Sequence, residues 1–180
     1  EIMRQNWWSR LELPEFAIQK IKESWMLNDF SLYGRFDLAW NGTGYPKLLE
    51  YNADTPTSLL EASVIQWEWL QEVYPQNDQL NSLHEALVER WGQLKESRIH
   101  FACVWDAIED RQTIAYLAET AEQAGKEVVL MDVSELGFNE FGQFTDAEEQ
   151  PIEKLFKLYP YEWILREEFG EVLVNQASLL

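Results

Sequence analysis

Residues 31–58, SLYGRFDLAWNGTGYPKLLEYNADTPTS, gather side chains that a packed core does not need: Arg35 and Asp37, Glu50 and Asn52, then Thr55, Thr57 and Ser58. The first four can act together only if one surface carries them all. Residues 31–40 alternate, with Leu32, Phe36, Leu38 and Trp40 on one face and Arg35 and Asp37 on the other, which is the period of a half-buried strand. Asn41, Gly42, Thr43 and Gly44 then read as the turn of a hairpin. A four-residue loop, or a tight two-residue one at Gly42 and Thr43, lets Trp40 or Asn41 close the pairing. It sets Arg35 opposite Glu50, with Asp37 and Asn52 on the same face. An odd loop would send Glu50 and Asn52 to the other side of the sheet and destroy the proposed site. The alternative is a surface hairpin whose charges form only a cross-strand ion pair.

The hydroxyls lie where a helix begins. Residues 59–74 keep a helical repeat through Leu59, Leu60, Ala62, Val64, Trp67 and Leu70; Ser58 with Glu61 fits a capping box, and Asp54 or Thr55 ahead of Pro56 are alternative caps. Hydroxyls and unpaired amides at such an end attract a carboxylate or phosphate. Capping alone also accounts for Ser and Thr there.

The remaining elements must hold this stretch in place. Residues 1–28 read as short helices, with Pro14 opening the second and Phe16, Ile18, Ile21 and Trp25 forming an apolar stripe. Residues 80–96 make an amphipathic helix in which His84 is a solvated or packing side chain. IHFACVW, a helix over about 109–124 stopped by Gly125, and EVVLMDV form a strand–helix–strand unit, which implies a parallel pair with a right-handed crossover. Ligands of open parallel sheets gather at the carboxyl ends of the strands. Here that places Asp106, Glu109 and Asp110 to hold an amine, unless they only favour the helix dipole. There is no glycine fingerprint for a dinucleotide, and His100 has no neighbour at metal-ligating spacing. A second hairpin is expected over residues 138–145. IEKLFKLYP follows as a strand in which Lys157 stands out, and YEWILREEFGEVL as a helix.

The chain of 180 residues suffices for one domain or for part of a larger one, and a piece of a longer protein is expected. Its net charge of −18 opposes binding to nucleic acid or an anionic membrane and suits a cationic or metal-bridged partner. The single cysteine, Cys103, inside IHFACVW, reads as a small buried hydrophobe of a reducing compartment. With no apolar run of about 20 residues and no signal peptide visible, a cytoplasmic location is expected.

YGRFDLAWNGTGYPKLLEYNADTPTS resembles the synthetase part of glutathionylspermidine synthases and their relatives, the bacterial acid–amine ligases. The similarity runs on through EASVIQWEWL, EDRQTIAYL, GQFTD and LFKLYPYEW, from about Trp25 onward. It implies a mixed α/β fold, the amino-terminal part of an ATP-grasp synthetase. Residues 1–98 would supply helices and the polar hairpin as a substrate and metal wall, and residues 99–180 a βαβ, pre-ATP-grasp-like unit. Together they would form one incomplete synthetase domain. The implied reaction joins a glutathione-like carboxylate to a polyamine-like amine through an acyl phosphate, with ATP and Mg2+ as cofactors.

By the same resemblance, Asp37, Glu50 and Asn52 are magnesium ligands beside the ATP phosphates, and Arg35 contacts the transferred phosphate or acyl phosphate. Hard oxygen ligands and a guanidinium beside a phosphoryl group fit those roles. Thr55, Thr57 and Ser58 would hold the glutathione-like substrate, and Glu109 and Asp110 the polyamine. The synthases proper carry a cysteine near the position of Ser58, where this chain has Thr-Pro-Thr-Ser; that leaves the substrate pair open. Lysines and a glycine-rich loop over the nucleotide normally come later in such ligases, so the isolated chain is expected to be inactive. The competing expectation is a non-catalytic acidic module that captures a polyamine or peptide.

Overall fold

Three apolar runs build the centre of the molecule. In the computed structural model, which describes residues 2–176 and 178–179, IHFAC, EVVLM and LFKL lie in one sheet whose paired strands all run parallel. Ahead of the sheet come α1 (Ile2–Gln5), a 3-10 turn (Trp7–Arg10), α2 (Glu15–Leu27), the hairpin β1 (Arg35–Ala39) and β2 (Lys47–Asn52), a π-helical turn (Glu61–Ile65) running into α3 (Gln66–Val73), and α4 (Leu83–Gly92). The strand–helix–strand unit is β3 (Arg98–Cys103), α5 (Ile108–Gln123) and β4 (Glu127–Asp132). A small hairpin of β5 (Gly137–Phe138) and β6 (Phe144–Thr145) follows, then β7 (Lys154–Leu158), α6 (Tyr161–Ile164), α7 (Gly170–Gln176) and β8 (Ser178–Leu179). The sheet order is β4-β3-β7-β8.

Two cores cover the two faces. On β3, Ile99, Phe101 and Cys103 join Phe156 and Leu158 of β7 against Leu87 and Trp91 of α4 and Ile114, Leu117 and Ala121 of α5. Ala102 and Leu155, at alternate positions, pack with Met131, Ile164, Leu173 and Val174 on the other face. A strand buried on both faces reads as a continuous apolar run, which is why these strands were visible in the sequence. Trp91 is fully buried and packs edge-on to Phe101 and Phe156, and its indole N–H donates to Thr120 Oγ1 at 2.9 Å.

Gly125, at φ +81°, ends α5 as anticipated. Pro14 precedes α2, and Cys103 is wholly buried, its thiol pushed up to about 11 by desolvation. Other expectations need correction. The first strand begins only at Arg35, the 80–96 helix shrinks to α4, and YEWILREEFGEVL breaks into α6 and α7. Ile18 of the expected α2 stripe is buried, whereas Trp25 is 70 % exposed. No capping box forms at Ser58, whose φ of +66° lies in the left-handed region. His84 is a packing side chain held by Tyr116 and Gln123.

The break between α6 and α7 has a steric consequence. A Cβ on Gly170 would stand 2.0 Å from the Ile164 carbonyl oxygen, whereas one on Gly92, in the last turn of α4, would meet nothing within 4 Å. Gly170→Ala should therefore cost about 1–3 kcal/mol of folding stability, and Gly92→Ala should be neutral or stabilising by up to about 1 kcal/mol. Urea melts of both variants check this; equal midpoints would contradict it.

His100 supplies a second test. Completely buried on β3, it faces the buried Asp146 with Nε2 to Oδ2 at 3.2 Å; a carboxylate only accepts, so Nε2 carries the proton. Arg98 also approaches Asp146 and pairs with Glu127. Desolvation lowers the His100 pKa below 6.5, although Asp146 opposes the shift. Between the lowered folded value and 6.5 the unfolded chain binds the extra proton, so stability is full above pH 6.5 and declines as the pH drops below it. The slope is at most about 1.4 kcal/mol per pH unit. His100→Gln should flatten the loss measured between pH 7.5 and 5.5, and an unchanged slope would remove His100 as its source.

Candidate functional site

Strands β1 and β2 pair antiparallel, but not in the register expected. Arg35 faces Asn52 and Asp37 faces Glu50, two residues out of step with the anticipated Arg35–Glu50 pair. Pairing closes at Ala39 and Lys47, which leaves the seven residues 40–46 as the connection. An odd connection alone would have sent Glu50 and Asn52 to the wrong side. A bulge corrects it: Leu38 pairs with Leu48 and Asp37 with Glu50, so Leu49 is an extra residue on β2. Arg35, Asp37, Glu50 and Asn52 therefore share one face after all. The opposite face, with Phe36 stacked on Tyr51 at 4.4 Å, stays largely exposed, which corrects the half-buried strand expected there.

Arg35 is the hub of the polar face. Its Nε donates to Asp37 Oδ1 at 2.7 Å and a second nitrogen to Oδ2 at 3.1 Å, a forked pairing that fixes the guanidinium plane. The hydrogen bond holds the Asp37 carboxyl below its ordinary range and raises Arg35, to which Glu50 adds at longer distance. A third nitrogen reaches Thr57 Oγ1 at 2.6 Å. The guanidinium thus links the hairpin to the 52–58 loop.

That loop is organised by Asn52. Its Oδ1 accepts from the amides of Asp54 and Thr55 at 3.2 and 3.1 Å, and its Nδ2 donates to the Thr55 carbonyl. Tyr33 donates to the Pro56 carbonyl at 2.9 Å. Asp54 caps nothing at its own helix; it pairs with Lys157 of β7 and accepts the Tyr161 amide at 2.9 Å. The sequence signal for this pair is only a lysine between the apolar residues Phe156 and Leu158; no local pattern points to Asp54.

The loop overhangs a cavity of about 160 Å3 at the carboxyl ends of β3 and β7, where ligands of such sheets collect. Thr55, Thr57 and Asp110 line it with Val104, Tyr159 and Trp163. Burial, and secondarily Glu109, raise the Asp110 carboxyl. Glu109 itself and Ser58 are exposed and outside the lining, so three of the five expected substrate residues converge. A larger cavity of about 390 Å3 beside β4 holds Asp132 and Glu135, but these two acids cap the turn at Val133–Glu135 and carry no comparable chemistry.

Among the described residues no three His, Cys, Asp or Glu gather at metal-ligating distance. Magnesium does not need three: one or two carboxylates with phosphate and water oxygens suffice. The facing pair Asp37 and Glu50 supplies such hard oxygens. Asn52 Oδ1 is already shared by two backbone amides.

The sequence pattern described as glutathionylspermidine synthase preATP-grasp matches residues 1–179. A protein of Haemophilus influenzae, provisionally named an acid–amine ligase, is 43 % identical over 172 residues, which cover 91 % of this chain and 44 % of that protein. Trypanothione synthetase of Crithidia fasciculata is 29 % identical over 88 % of this chain and 25 % of its own length. The bifunctional glutathionylspermidine synthetase/amidase of Escherichia coli is 27 % identical over 84 % of this chain and 25 % of its own. The chain thus spans less than half the length of these curated relatives. Matched over nearly its whole length, this chain belongs to the glutathionylspermidine synthase pre-ATP-grasp family.

Proposed function

We propose that the protein carrying this chain is an ATP-dependent carboxylate–amine ligase of the ATP-grasp kind, joining a glutathione-like acid to a polyamine-like amine. The observation that carries this reading is the single polar face of Arg35, Asp37 and Glu50, tied through Thr57 to a loop over the cavity. In this reading residues 1–98 form the phosphate and substrate wall and residues 99–180 the βαβ unit beneath it.

Asp37 and Glu50 would hold magnesium, with Asn52 shaping the turn beside them. Magnesium, when bound, neutralises charge on phosphate oxygens. Arg35, kept in plane by Asp37, stabilises the charge of the phosphoryl group passed to the acid. The acid carboxylate attacks the terminal phosphate of ATP and releases ADP. The amine, as its free base, would then displace phosphate from the acyl phosphate and give up a proton to the released phosphate, leaving the amide. Thr55 and Thr57 offer hydroxyls to the acid. Asp110, destabilised as a carboxylate by burial and by Glu109, gains by receiving an ammonium group. Names of the relatives supply the glutathione and polyamine chemistry of this proposal.

Asp37→Asn and Glu50→Gln, made in the full-length protein, should each lower magnesium-dependent ADP formation with glutathione and spermidine at least about 100-fold. Folding should be unaffected, because both residues sit on a partly exposed hairpin. Activity retained in either variant would take that residue out of the metal site, and ADP formation by the 180-residue chain alone would overturn the division of labour.

A further inference from the structure

Lys157 occupies a place where an ammonium group is costly. It lies in β7 beside Ala102 of β3, between the core residues Phe156 and Leu158, and its side chain is only 2 % exposed. A charge so buried is tolerated only with a close opposite charge. Asp54, 103 positions earlier, provides it. The second Asp54 oxygen accepts the Tyr161 amide, and the Lys157 ammonium stands 3.7 Å over the Tyr161 ring.

The positions next to these partners are the walls of the cavity. Thr55 follows Asp54, while Leu158, Tyr159 and Pro160 follow Lys157. Asn52 fixes the start of the loop through its own side chain, and the ion pair fixes Asp54, two residues on, to the sheet. The ion pair thus lies directly behind two walls of the cavity.

We propose that Lys157 is a positioning residue for the acid-binding subsite: through Asp54 it sets the spacing between Thr55 and the wall at residues 158–160. This rests on the ligase reading, and it assigns Lys157 no contact with substrate. Losing the pair frees Asp54 and Thr55 from the sheet, while Thr57 stays tied to Arg35 and the forked Arg35–Asp37 bond is untouched, so acid binding weakens while the phosphate side is spared.

The test uses the full-length protein with Lys157→Met, which leaves no unpaired charge in the core, and with Asp54→Asn, which alters only the partner on the half-buried loop. Two measurements are made: hydrogen exchange of the Asp54 and Thr55 amides, and KM for glutathione beside KM for magnesium-ATP. Both variants should exchange these amides at least about tenfold faster and raise the glutathione KM at least about tenfold, with the magnesium-ATP KM unchanged. Unchanged exchange in Asp54→Asn overturns the proposal. So does an equal rise of both KM values, which marks a merely structural role. If the unaltered protein forms no ADP with any acid–amine pair, the ligase reading fails on its own. Exchange in the two variants then still supports or refutes the anchoring by itself.

Discussion

A buried ammonium group must find a negative partner, and here the nearest one lies on a loop from the opposite end of the chain. Much of the arrangement follows from that constraint. β7 is a central strand with every residue buried, so Lys157 cannot turn outward to water. The loop must come to it. Desolvation lowers the lysine pKa and Asp54 opposes that shift, so the docked loop offsets part of the cost of burying the ammonium. An element without any regular hydrogen-bonding ladder thereby acquires a fixed place against the sheet.

The hairpin shows the complementary economy. A two-stranded ribbon is marginal alone, and most of its apolar side chains, Leu38, Trp40, Tyr45 and Leu48 among them, remain exposed. Its attachments are polar instead: Tyr33 to Pro56, Arg35 to Thr57, and Asn52 to the two amides beyond it. Arg35 serves two ends at once, because the forked bond to Asp37 leaves one nitrogen to bind the loop. Orientation of the charged face and docking of the ribbon are thus the same set of bonds.

What could be read from residues alone was whatever local pattern dictates. Continuous apolar runs around a single helix announced a parallel pair, and Gly125 announced where that helix stops, because both signals lie within a few residues of their effect. The shared face of Arg35, Asp37, Glu50 and Asn52 was also legible, though by an incomplete route: the connection is seven residues, and Leu49 restores what the odd length would have lost. Nothing in alternation reveals a bulge in advance. The Lys157–Asp54 and His100–Asp146 pairs were illegible for a different reason, since partners separated by 103 and 46 positions meet only through the packing of the whole. Periodicity marked the hairpin as amphipathic but carried no information about what its apolar face would meet.

The bulge at Leu49 has an implication for how the hairpin tolerates insertions and deletions. Adding or removing two residues in the 40–46 connection leaves the polar face intact, because parity is preserved. A single insertion or deletion inverts the face unless the bulge disappears or a second one appears. Loop length and bulge count are therefore one variable, and related chains with connections of different length can present the same four side chains provided the two change together.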